Sequence, residues 1–568
     1  MVKLFKYPIN LLVLLLIVIS IIFFLNFNKG IEFTDESYSL LISLYPNDMV
    51  GRVNNSGAIS NILLQLVNFN LYYFRILGAL ILFLSAFALL GPYYRFQERI
   101  LSQKNLNKNY LMFFLLLGSL NYYHNWVITP SYNLYNLVGI LFFLNGIIRL
   151  TLFEEKDKKI ELFIAICLTI FGGLITFICK PPTTFFLILV FIIWFLYFFD
   201  LKKIFLILPI AILLSLLTFL IYILFYFKSF EYFINDIILG IELKTLLDPR
   251  YSIFDNFLST IKQVIFYVYK NLIEIFVFIF LLIISKAYFK KKFLNFAYII
   301  IFLPLFFYNG LILSTIFLII FYFLFDLHLT KIVKINKKEI TFLFFQFILI
   351  FILYAYTVGT NTNVIVLLQT ASLIIFLIIY NFILKMKFVN IFNFYKIILM
   401  SFILLFFTIK NLYYNFEKPR RYNDKIYNQV NEIKLPNFSG KIYVDEITYK
   451  FINDFNFVLK TNDWKNGNYL IDLTGRTPGL NIISGAKFVS HPWWASAYIG
   501  SKPLAEKIIS LSNIDKIKNS WIITTNHKFN ISPEILNNIG LSLDKNYKFL
   551  GKVKRNNKDY FIWKPNKI

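Results

Sequence analysis

Charge is what this sequence has least of, and acidic charge above all. Only 15% of its 568 residues are charged, 31 Asp and Glu against 57 Lys and Arg. Cysteine is close to absent. Cys167 and Cys179 fall in one apolar run, where a helix would hold them roughly 18 Å apart, too far for a disulfide. No C-x-x-C pair and no Cys/His metal spacing occurs, so cysteine says nothing about redox compartment. Polar surface is also scarce. With 58% hydrophobic residues, 20% aromatics and a mean hydropathy of +0.65, a soluble globule could not cover its apolar area, whereas a membrane protein need not.

The net charge of +26 does not call for nucleic acid. Lys and Arg fall mainly in short clusters between apolar runs, the pattern that orients helices in an anionic membrane. Apolar stretches long enough to cross a bilayer lie near 8–27, 74–92, 110–127, 132–150, 160–179, 183–199, 203–227, 263–285, 294–308, 310–327, 340–357, 363–384 and 391–411. The first has too long an apolar part for a signal peptide and no small-residue cleavage site after it, so it reads as an uncleaved span. With the N-terminus cytoplasmic, the basic clusters all fall inside, and the short outer connections hold only Lys180.

This pattern predicts a mainly α, polytopic membrane protein of about thirteen spans over 1–415, with long outer loops at 28–73 and 228–262. The run 59–69 has the apolar spacing of a surface amphipathic helix. Beyond the last span the composition turns polar, and 416–568 reads as a small α/β extracytoplasmic domain. Its β-like runs are 441–444, 469–473 and 521–524, and helical stretches are expected near 420–433, 501–511 and 533–540.

The first outer loop contains Asp35-Glu36-Ser37-Tyr38. An Asp-Glu pair there, followed by Tyr two residues on, resembles the signature of GT-C glycosyltransferases. The likeness is to the protein O-mannosyltransferase and aminoarabinose transferase branch, whose polytopic members use sugars on polyprenyl phosphate. Thr129-Pro130-Ser131-Tyr132-Asn133 and Lys180-Pro181-Pro182 are similar to segments of bacterial relatives.

The resemblance implies Asp35 as general base and Glu36 as its helper, with Tyr38, Tyr132 and Asn133 near the substrate. It also implies a multi-pass protein of a bacterial inner membrane, and an acceptor that is a glycan, a lipid or a protein. No cofactor is implied, and a divalent metal stays open because no outer Asp/His cluster calls for one. Some relatives carry a further acid in the second outer loop. Here 121–132 offers His124 instead.

The chemistry explains these residue types. Transfer to a hydroxyl or amine removes the acceptor proton as C1 is attacked, work for a carboxylate. The departing lipid phosphate asks for fixed positive charge. Lys180, Arg52 and Arg250 are the candidates on that face, with Arg75 at the membrane boundary. Lys180 sits where Pro181-Pro182 ends a helix, though a snorkelling lysine would look the same.

In the C-terminal part, Asp472 to Gly479 reads as a strand followed by a glycine-rich turn; such turns can offer N–H groups to an anion, but this one matches no phosphate-loop pattern and reads first as plain structure. Trp493 and Trp494 offer indoles for a sugar ring or for a core. A transporter or flippase, or a polymerase or ligase for lipid-linked glycans, remains the alternative. Spans almost free of central charge and the lack of an internal repeat weigh against transport.

Overall fold

The first apolar run forms α1 (Pro8–Phe24), and the chain then crosses a short loop into α2 (Asp35–Leu44) and α3 (Ser56–Leu66). The computed structural model describes residues 8–566 apart from 102, 104–106, 126, 155–158, 249–252, 289–311, 313–314, 317–318, 320–336, 360–362, 386–391 and 527–529. The expected spans at 294–308 and 310–327 fall almost wholly outside the described residues, as do Arg250 and much of the basic loops between 289 and 336.

Long helices follow: α4 (Leu71–Arg99), α5 (Lys108–Asn121), α6 (Tyr132–Leu152), α7 (Lys159–Cys179), α8 (Pro181–Phe198), α9 (Leu201–Phe227) and α10 (Phe230–Leu247). Next come α11 (Ile253–Lys270), α12 (Leu272–Tyr288), α13 (Lys337–Thr357), α14 (Val364–Thr370), α15 (Ser372–Lys385) and α16 (Phe392–Glu417).

Among the described residues seven helices are long and apolar enough to cross a membrane, or nine when two bent pairs each count as one span. The expected count of about thirteen is not confirmed, two of those spans lying almost wholly outside the described residues. The run at 110–127 illustrates why. Composition reads it as a span, yet α5 stops at Asn121 after 14 residues, about 21 Å of helix. Its apolar side chains are buried among neighbouring helices rather than offered to lipid. The run at 363–384 likewise breaks into α14 and α15, bent by 73°.

Small residues bring the helices together. A Cβ on Gly139 of α6 would sit 2.8 Å from the Gly172 carbonyl oxygen of α7, a backbone approach that larger residues forbid.

The polar C-terminal part builds a four-stranded sheet in the order β3-β4-β6-β5, from β3 (Leu470–Asp472), β4 (Trp521–Thr525), β5 (Tyr547–Arg555) and β6 (Lys558–Pro565). β3 and β4 are parallel and the other pairs antiparallel. A separate antiparallel pair joins β1 (Asn431–Ile433) to β2 (Ile442–Val444). All three expected β runs are thus strands. The stretch 420–433 is not a helix: it carries a three-residue 3₁₀ turn at Ile426–Asn428 and then β1.

This part is fastened to the loop after α1. Gly30 donates its N–H to the Tyr443 carbonyl (2.6 Å), and Tyr443 donates to Asn28 (2.9 Å). Phe33, Leu40, Leu41 and Phe74 share one hydrophobic core with Val444, Phe451, Leu480 and Ile482. The α2 segment is thereby clamped between the helices and the sheet.

Candidate functional site

The start of α2 is held by carboxylates. Thr34, in the N-cap position, makes no side-chain cap. Glu32 takes that role and accepts the backbone N–H groups of Thr34 (2.9 Å) and Glu36 (2.8 Å). Glu36 returns the favour by accepting the Glu32 N–H at 2.8 Å, a reciprocal arrangement like a capping box. Burial, and then the neighbouring Asp35 charge, push the Glu32 carboxyl upward.

Asp35 and Glu36 then part company. The Glu36 carboxylate is buried and meets Arg75 Nη2 at 2.7 Å and the Thr129 hydroxyl. Arg75 is fully buried and also donates to the carbonyls of Phe27 (2.6 Å) and Gly30 (2.9 Å). Asp35 points the other way, with 45% of its side chain exposed. Its Oδ2 faces Arg421 Nη1 at 2.8 Å and Arg420 Nη2 at 3.3 Å, while Oδ1 takes no hydrogen bond from a described residue. Both arginines follow the end of α16. Arg421 adopts a left-handed backbone, φ 62°, a conformation a non-glycine residue holds only when its surroundings enforce it.

One turn along α2, Tyr38 forms part of the wall of a cavity of about 260 Å³. The cavity lies where the loop 49–54, the α7–α8 junction, α10 and the loop around His491 and Trp493 converge. Its polar floor is two lysines. Lys180 stands between the last residue of α7 and Pro181, which opens α8 with a φ already suited to a helix. Its side chain is only 3% exposed, and Nζ donates to the Tyr356 carbonyl while lying 5.4 Å from the centre of that ring. Burial, reinforced by the charge of Lys244, brings its pKa down to about 7. Lys244 Nζ donates to the Gly359 carbonyl at 3.2 Å, and burial lowers its pKa as well.

Among the described residues no Asp or Glu lines this cavity. The Tyr38 ring lies 6.0 Å from Trp493 and 6.3 Å from His491. Trp493 Nε1 donates to Gly475 at 2.8 Å, so the glycine-rich turn after β3 supports the cavity wall. In that turn the buried Asp472 accepts the N–H groups of Thr474 and Thr477, both at 2.9 Å. Burial raises its carboxyl to about 6. His491 is lowered to about 4 by burial and is neutral at pH 7.

Of the residues singled out from the sequence, Lys180, Tyr38, Tyr132 and Trp493 meet at the cavity. Asp35 lies one helical turn beyond it. The others are placed elsewhere. Arg52 is buried but engaged: Nε contacts Asp236 Oδ2 at 2.8 Å, Nη1 donates to Pro46 at 3.1 Å, and the guanidinium lies 4.7 Å over Phe227. That buried pair ties the 49–54 loop to α10 instead of presenting a charge to a phosphate. Asn133 offers its carbonyl to Tyr356 Oη at 3.4 Å. Trp494 is core, with Nε1 donating to the His491 carbonyl at 3.2 Å. His124 is buried away from the cavity lining, lowered to about 4 by burial.

Lys244 and the two arginines beside Asp35 escaped sequence reasoning as site residues. Lys244 carried one signal, since it follows Gly240 by four residues on the same helix face. Gly240 packs against Gly51, and a Cβ there would sit 2.7 Å from the Gly51 oxygen. Among the described residues no three His, Cys, Asp or Glu side chains converge as metal ligands would.

No protein-family model matches this chain, and neither curated proteins nor solved structures give a match.

Proposed function

We propose that this protein is a membrane glycosyltransferase that moves a sugar from a polyprenyl-phosphate donor to an acceptor at the extracytoplasmic face of a bacterial inner membrane. The carrying observation is that Lys180 and Lys244 both line the cavity, with no carboxylate among its described lining residues and Asp35 one turn of α2 away from Tyr38. Burial lowers the pKa of both lysines, and an anionic ligand in the cavity would favour their charged forms.

In this reading the donor phosphate rests against the two lysines and its prenyl chain runs out among the helices. The sugar lies along Tyr38 and Trp493 towards Asp35, since one helical turn covers about 5.4 Å. The acceptor hydroxyl gives its proton to Asp35 Oδ1 as its oxygen attacks C1 opposite the phosphate, so the anomeric centre inverts. Arg420 and Arg421 hold Oδ2 and fix the direction of the carboxylate. Glu36, paired with Arg75, is a positioning residue that seats the start of α2.

The test replaces Asp35 by Asn. Transfer in membranes is expected to fall by about 10²–10⁴-fold, with expression and prenyl phosphate binding retained. Normal transfer by that variant would sink the assignment.

A further inference from the structure

The helix that walls the cavity on one side, α10, starts where a span stops. α9 is of membrane length and strongly apolar, and Leu224 and Phe225 near its end are exposed. Lys228 then turns the chain with φ 63°, and the Ser229 hydroxyl accepts the Tyr232 N–H at 3.1 Å to open α10. Only Lys228 and Ser229 separate the two helices, so α10 begins at the membrane surface. It is as long as α8, 18 residues each. With Glu231, Asp236, Glu242 and Lys244 spread along it, however, it is not apolar enough to cross.

Successive helical residues stand about 100° apart round the axis, which sorts the side chains of α10 into three faces. Phe233, Asp236, Gly240 and Leu243 are buried on the first. Gly240 and Leu243 line the cavity, and Asp236 holds Arg52 of the 49–54 loop. On the second face, Phe230, Ile234, Ile238 and Ile241 fall in one stripe about 80° wide. All four are exposed, Phe230 by 57% and Ile238 by 59%. Glu231, Asn235 and Glu242 are also exposed and form a polar strip beside that stripe. From the polar strip Glu242 meets Lys507 Nζ of the helix Ser501–Leu511 at 2.8 Å. The Leu247 carbonyl at the end of α10 accepts the Gly500 N–H at 3.0 Å.

A single exposed isoleucine needs no partner. Four apolar side chains in one stripe, flanked by a polar strip on a helix that leaves a span, have the pattern of a helix lying in the lipid–water boundary. We infer that α10 is such an interfacial helix, seated in the membrane surface on the side of the C-terminal part. Its partner is the lipid of that leaflet, which takes the stripe from Phe230 to Ile241, while Glu231, Asn235 and Glu242 face water. The inference rests on the membrane character of the chain and not on the glycosyltransferase reading. One helix, about 10–12 Å across, then parts the cavity from the leaflet. The cavity is held at headgroup depth, where a molecule anchored by a lipid tail reaches it without leaving the bilayer.

The experiment places a nitroxide label on the full-length protein in phosphatidylcholine nanodiscs, one position at a time. The variants are Ile234→Cys, Ile238→Cys, Glu231→Cys and Asn235→Cys, each with Cys167→Ser and with the buried Cys179 retained. All four positions are exposed in the wild type, so the label displaces no core side chain. Collision with oxygen against collision with a nickel chelate reads the depth of each label. Labels at Ile234 and Ile238 are expected about 5–10 Å below the lipid phosphates, and those at Glu231 and Asn235 at or above them. Four labels equally open to the chelate overturn the inference, because the stripe then stands in water. A depth that grows along the chain by about 1.5 Å per residue also overturns it, because α10 then crosses the bilayer. Stripe labels shielded from oxygen and chelate alike overturn it as well, since protein and not lipid then covers the stripe.

Discussion

Asp35 and Tyr38 stand one turn apart on α2, yet they belong to different surroundings. Asp35 is half-exposed beside Arg420 and Arg421, and Tyr38 is packed against Trp493 in the cavity wall. A helix is rigid over one turn, so whatever the cavity holds is kept at a fixed offset from that carboxylate.

Arg420→Gln and Arg421→Gln leave the base in place but remove what orients it. Each is expected to lower transfer by about 10-fold, less than Asp35→Asn, because misdirection costs less than loss of the proton acceptor. Turnover with saturating donor is the measurement, and an arginine variant as inactive as Asp35→Asn would assign that arginine a direct role.

The pair Glu36–Arg75 should behave as structure. Replacing Glu36 by Gln or Arg75 by Met leaves a buried partner uncompensated, at a cost of about 3–5 kcal/mol. The thermal midpoint in detergent should fall clearly for either variant, and both should lose prenyl phosphate binding only to the extent that they unfold.

Lys180 links the cavity to pH. Its pKa in the folded, empty protein is about 7, below the ordinary 10.5. Between those values the unfolded chain binds the extra proton, so the stability of the empty protein rises with pH across that window. An anion in the cavity favours the charged lysine. Binding of prenyl phosphate at pH 8 should therefore take up as much as about one proton, and affinity should fall from pH 7 to pH 9. Calorimetry in buffers of different ionisation enthalpy reads the uptake directly. Lys180→Met should reduce both the uptake and the pH dependence, leaving only the part owed to Lys244.

Gly359→Ala probes the turn whose carbonyls accept from Lys180 and Lys244. Its left-handed backbone and the nearness of Pro182 make any side chain strained, at a cost of about 1–3 kcal/mol. Prenyl phosphate binding should weaken more than ten-fold, read by titration in nanodiscs. Gly467→Ala, also at positive φ but with open space around it, should lose stability without losing binding.

The sequence made the apolar content and several element boundaries legible. Pro181 marks the start of α8, and the β-branched and aromatic runs of the C-terminal part mark β2, β3 and β4. These are local signals, carried by neighbours in the chain. Span counting went further than local signals allow. The run that gives α5 is as apolar as its neighbours, but its helix stops at Asn121 after 14 residues, an end the composition of 110–127 does not mark.

What the sequence determined alone is a chain too apolar for water, with helices of membrane length and an acidic pair at the start of one of them. It could not say which acid of that pair stays accessible. That was decided when Arg75 closed on Glu36 across 39 positions of the chain and Arg420 closed on Asp35 across 385. The same holds for Lys180 and Lys244, on separate elements and both bonded to carbonyls of the turn after α13. Hydrophobic length and helix stops are written in adjacent residues, whereas charge pairing and cavity walls depend on which distant segments pack together.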